Sequence, residues 1–186
     1  SDVYKRQPSA KRKLASEQYH DVTIDSQVNL NLIQFYNTYP SSEVNGNFMT
    51  RWKMYADTPM DESVSQMLYP DIKNKIEGLS DVQAVNQILN WVQTAFQYEY
   101  DDKVWGHDRA FFAEETLYYP YCDCEDRAIL FTRLVRDLLG LKCILVYYPG
   151  HLASAVCLKQ QVNGDYISLD GDVYTICDPT YIGAPV

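Results

Sequence analysis

DCEDRAILFTRLVRDLLGLKCILVYYPGHLASAV, residues 123–156, changes its hydrophobic period part-way along, and that change decides the fold. Asp123 suits an N-cap, with Asp126 at the third helical position. Cys124, Ala128, Phe131, Val135 and Leu138 then fall on one helical face, and Gly140 ends the helix. Beyond Gly140 the period becomes two. KCILVYY, LASAVCLK, DYISL and DVYTICD read as four strands, with Pro149-Gly150 and Asp170-Gly171 as turns. Helices followed by an antiparallel meander predict an α+β domain.

Working outward, SDVQAVNQILNWVQTAF predicts another helix. Ser80 caps it, Gln83 completes a capping box, and Val85, Ile88, Leu89, Val92 and Phe96 form its apolar stripe. Between the two helices, residues 97–121 read as irregular and rich in aromatics and charge; a connection that long suggests function. Glu114 and Glu115 within it read as solvated surface. Residues 62–79 predict two short helical pieces broken at Pro70, and 26–40 predicts a helix stopped by Pro40. SSEVNGNFMT (41–50) reads as a loop.

The 186 residues, 46% hydrophobic and 22% charged, suit one globular domain with appended sequence. We expect a flexible leader over 1–20, disordered or extended, an N-terminal extension of uncertain fold over 21–60, and the core over 61–186. The chain opens without Met on SDVYKRQ, which resembles a translated sequencing-adapter artefact at 1–7. It stops just after a strand, so a C-terminal truncation is expected. Residues 1–13 hold five of the 16 basic residues and one of the 25 acidic ones. The remainder is strongly negative and repels phosphate backbones, so no nucleic-acid partner is expected. Nothing is apolar for long enough to span a bilayer, so no transmembrane segment is expected. Cytoplasm and bacterial cell envelope both stay open as compartments, as does the oligomeric state.

Five cysteines cannot all pair within the chain. Cys143 and Cys157 are equidistant from Gly150, so in a hairpin they would lie opposite each other and could pair; plain buried side chains are the simpler reading. Cys122 and Cys124 lack the second Cys/His pair of a zinc site, and C-x-C is not the C-x-x-C of a redox pair. No metal and no cofactor are therefore expected. Cys122 reads as a small core residue. Cys124 differs: as first helical residue it faces unpaired N–H groups and the positive end of the helix dipole. That dipole, worth ~1 kcal/mol, does not reliably outweigh Asp123, Glu125 and Asp126. An imidazole is needed. His151 opens a strand after Gly150, and Asp178 closes another before Pro179. Cys, His and Asp supply nucleophile, base and orienter. His151 as turn surface and Asp178 as a turn former before proline are the plainer alternatives.

These motifs carry a resemblance. DCEDRAILFTRLVRDLLGLKCILVYYPGHLASAV together with DPTY is similar to the core of the transglutaminase-like superfamily, papain-like in fold. VQAVNQILNWVQTAFQYEYD is similar to that family's preceding helix, so the likeness covers roughly residues 60–186. The chain departs from the pattern at Cys122, where the family often has Gly, and at Ala153, where an aromatic is common. The resemblance implies a bacterial cysteine protease or amidase-like enzyme with Cys124, His151 and Asp178 as catalytic triad, acting on peptide or protein substrates through a thioester. The Cys124 N–H and Trp105 are candidate oxyanion donors, and Tyr119 and Tyr121 candidate cleft walls. The alternative is a catalytically silent binding domain of the same fold.

Overall fold

The computed structural model describes residues 7–38, 48–100 and 109–186. In chain order the elements are β1 (Arg12–Ala15), β2 (Thr23–Ser26), α1 (Leu30–Thr38), α2 (Phe48–Asp57), α3 (Glu62–Ile76) and α4 (Asp81–Thr94). There follow β3 (Gln97–Tyr98), α5 (Ala113–Tyr118), β4 (Tyr121–Cys122), α6 (Cys124–Leu139) and four strands. These are β5 (Cys143–Tyr148), β6 (His151–Val156), β7 (Tyr166–Leu169) and β8 (Asp172–Cys177). The molecule is thus α+β, with α6 lying on β5 and β6.

Helix α6 forms where its caps require it. Asp123 accepts from the Asp126 N–H, Asp126 accepts in return from the Asp123 N–H, and Gly140 closes the helix at φ 63°. The helix is buried on more than the expected stripe. Arg127, Ile129, Leu130, Thr132 and Leu134 are enclosed as well, because α2, α4 and α5 pack on its other sides. Helix α4 has the predicted Ser80–Gln83 capping box, and its whole predicted stripe is buried.

The four-stranded sheet is antiparallel, but its order is β5-β6-β8-β7 and not the sequential meander expected. Strand β7 lies outside, so β8 pairs directly with β6. Asp170 and Gly171 both take positive φ, as a two-residue hairpin turn needs. Cys143 pairs with Val156 and not with Cys157, and all five cysteines are free.

Other expectations change. Helix α3 runs unbroken through Pro70. Val64, Leu68, Ile72 and Ile76 anchor its buried face, while Pro70 and Gln66, whose carbonyl loses its helical donor, lie on the exposed one. The 26–40 segment begins as the end of β2, and α1 buries Ile33 while Phe35 is exposed. Within the expected leader, β1 pairs with β2, Leu14 is buried, and the Trp91 indole N–H donates to the Leu14 carbonyl at 3.0 Å. The expected loop 41–50 lies outside the described residues except for 48–50, which start α2.

Candidate active site

Cys124 is the first residue of α6, at the end where the helix N–H groups are unpaired. Its neighbours are partly spoken for. Asp126 takes the Asp123 N–H at 3.0 Å and the Phe111 N–H at 2.8 Å, so this carboxylate spends its acceptors on backbone. Cys124 is only 6% exposed. Burial, and then the negative charge of Glu125, push its pKa up to about 11, against backbone hydrogen bonds from Leu152 and Glu125 that pull it down. The resting group is a neutral thiol.

His151 and Asp178 are brought together by the sheet. Gly150 turns the chain at φ 76°, and His151 opens β6 opposite Tyr148. Strand β8 sits beside β6 with Cys177 opposite Ser154. One further step along that register puts Asp178 opposite Ala153, on the same face as His151 two residues away. His151 Nε2 lies 2.8 Å from Asp178 Oδ2. A carboxylate only accepts, so Nε2 carries a proton; in the neutral ring the lone pair then lies on Nδ1.

The carboxylate is held in turn. Asp178 Oδ1 accepts the Thr180 N–H at 2.9 Å, and the Asp178 carbonyl accepts from Gln93 Nε2 at 2.9 Å. Gln93, buried on α4, also donates to the Ala184 carbonyl at 3.1 Å and accepts the Gly183 N–H at 3.2 Å. One side chain thus clamps both ends of the segment after β8.

Arg127 ties α6 to α4. It is 1% exposed, and its Nη1 and Nη2 each donate at 2.9 Å, to the carbonyls of Gln93 and Phe96. Its Nε donates to Cys122 Sγ at 3.3 Å, so Cys122 is a buried acceptor in a structural tether.

Cys124 packs with Ala128 and Leu152, and Trp52, Tyr98 and Leu145 lie against that cluster. Its contact is therefore with the residue after His151. Among the described residues the ring of His151 is hydrogen-bonded to Asp178, and no Cys124–His151 hydrogen bond is formed. The oxyanion candidate Trp105 lies outside the described residues. Tyr119 stacks on Phe111 at 4.9 Å and packs within the fold, whereas Tyr121 is exposed on β4.

Glu114 and Glu115, read as surface, are both buried. Glu114 accepts from the Tyr36 hydroxyl at 3.1 Å, and Glu115 pairs with Arg109 at 2.5 Å. Short α5 packs its acidic first turn inward, where these partners replace water. Three residues around the site carried no signal in the sequence reading. Trp52 belongs to the extension, Tyr98 to a segment read as irregular, and Gln93 is a polar residue on an apolar helix.

The geometry does not depend on any likeness to other proteins. No family model, curated protein or solved structure matches the chain. Among the described residues no helix is long and apolar enough to cross a membrane, and no cluster of three or more His, Cys, Asp or Glu could hold a metal ion.

Proposed function

We propose that the chain is a cysteine-dependent hydrolase or acyl transferase acting on amide bonds of peptides or proteins, built on a papain-like, transglutaminase-like core. The observation that carries this reading is the 2.8 Å His151–Asp178 pair, on a sheet against which α6, whose first residue is Cys124, packs. A hydrogen-bonded carboxylate holds the imidazole in the tautomer whose free nitrogen can accept a proton.

In the proposed reaction Nδ1 of His151 takes the Cys124 proton as the sulfur bonds to the acyl carbon. The Cys124 backbone N–H donates to the oxyanion as it forms. The proton passes from His151 to the leaving amine as the C–N bond breaks, leaving a thioester. Water, deprotonated by the same imidazole, adds to the thioester; the C–S bond breaks and the thiol is restored. An amine in place of water gives transfer. Because burial raises the thiol's pKa, the proposed chemistry has proton removal accompany attack, with His151 in the role of general base. The proposed reaction requires the thiol and Nδ1, which are not hydrogen-bonded to each other here, to close on one another when substrate binds, as apo sites often do.

The second reading, a catalytically silent binding domain, draws support from the buried, high-pKa thiol. Site-resolved alkylation separates the two. Iodoacetamide should label Cys124 in the native protein and lose rate when His151 is replaced by Ala. Equal rates with and without the imidazole would favour the silent domain.

A further inference from the structure

The side chains around Cys124 do not stop at the thiol. Trp52, Leu145 and Leu152, which pack about it, also line a groove of about 330 Å³ between α2 and the sheet. That volume is at the low end for small-ligand sites and suits one large side chain. Ala56, Ile144 and Leu169 extend its apolar wall. An aromatic ledge continues it outward, with Phe48 stacked on Trp52 at 6.1 Å and Trp52 tilted against Tyr147 at 5.8 Å. Phe48 and Tyr147 are both exposed.

Three charged residues also line the groove, and they are paired with one another. Asp57 bonds Lys53 at 2.5 Å and Arg136 at 2.7 Å, while Arg136 also donates twice to the Cys143 carbonyl. An apolar ligand group would leave that network intact and bury against Trp52, Leu145 and Leu152.

From this we infer that the groove is a subsite for one bulky apolar or aromatic side chain of the peptide substrate, adjacent to the bond that Cys124 attacks. The assignment rests on the proposed acyl chemistry. It makes α2, outside the core expected from sequence, a determinant of specificity. The occupant is a side chain of the peptide substrate because Trp52, Leu145 and Leu152 belong both to the cluster around Cys124 and to the groove wall.

The probes are iodoacetamide and its N-(2-phenylethyl) derivative, with alkylation of Cys124 read by peptide mass spectrometry. Thiolate displaces iodide in both, so only the arm differs. The arm should raise the second-order rate at Cys124 by about tenfold or more, the value of burying a phenyl group, and leave the other cysteines unaffected. Leu169→Lys and Thr50→Trp, which charge and fill the groove, should each bring the ratio of the phenylethyl rate to the iodoacetamide rate down to about that of a free thiol. If iodoacetamide labels Cys124 in a His151-dependent way but the arm adds nothing, the subsite is wrong and the chemistry stands. If labelling ignores His151, the chemistry fails. The subsite is then read separately, by shifts of the Trp52 indole resonance on titrating N-acetylphenylalaninamide into the Cys124→Ala protein. No shift of that resonance overturns the subsite too.

Discussion

His151 Nε2 lies 2.8 Å from Asp178 Oδ2, although 27 residues separate them in the chain. The contact exists because β8 inserts beside β6 and leaves β7 at the edge. In a sequential meander β7 would stand between them. The sheet order therefore makes the pair, and the pair engages Nε2 and leaves Nδ1 as the nitrogen the proposed chemistry would use.

Asp178→Asn should remove that control with little effect on stability, because the carboxylate is partly exposed. An amide can offer its N–H to Nε2 and select the wrong tautomer. On the proposed chemistry, kcat on a peptide substrate should fall on the order of 10²–10⁴-fold, with KM little changed. Kinetics of the variant beside its melting curve check this.

Gln93 should act through Asp178 without touching substrate. Gln93→Leu keeps the volume but removes the donor to the Asp178 carbonyl and the acceptor of the Gly183 N–H. The expected result is a lower kcat and an altered pH dependence of the imidazole. A merely structural role would lower the melting temperature and leave the histidine titration, followed by NMR, where it was.

Arg127→Met should destabilise the fold by roughly 2–5 kcal/mol, since the carbonyls of Gln93 and Phe96 lose their buried donor. Urea denaturation measures it. Ser80→Ala, which removes an exposed cap from α4, should cost only about 1 kcal/mol.

The contrast between those two positions shows what the sequence reveals. Caps and periods are local, so Ser80, Asp123, Gly140 and the strand segments could be read directly. Sheet order is not local, and nothing in DYISL says that it takes an edge. Pro70 misleads because the carbonyl it deprives of a donor, that of Gln66, lies on the exposed face, where water can take the donor's place. Glu114 misleads because its partners, the Tyr36 hydroxyl and the Asp61 N–H, are 78 and 53 residues away. Cys124, His151 and Asp178 stood out by residue type at element ends. Trp52 and Tyr98 did not, since an aromatic beside a thiol looks like any core aromatic until the chain is folded.

Glu114 should make stability depend on pH. Burial, first among the causes, raises its pKa to about 7 from 4.5. Below 4.5 the carboxyl is protonated folded or unfolded and contributes no slope. As pH rises from 4.5 to 7 the unfolded chain gives up its proton first, so this group lowers stability across that window, by ~3 kcal/mol in all, and is flat above it. Glu114→Gln should remove the decline. Urea midpoints between pH 4 and 8 for the two proteins decide it; parallel curves would contradict the burial argument.

The central claim is that the ring of His151 governs the sulfur of Cys124. Its most direct test is the rate at which iodoacetamide modifies Cys124 at pH 6–7, resolved by mass spectrometry, in the wild-type chain and in His151→Ala. A general base predicts a loss of about 10²-fold or more when the imidazole is removed. Identical rates in the two proteins, both no faster than a simple thiol of the same pKa, would contradict it.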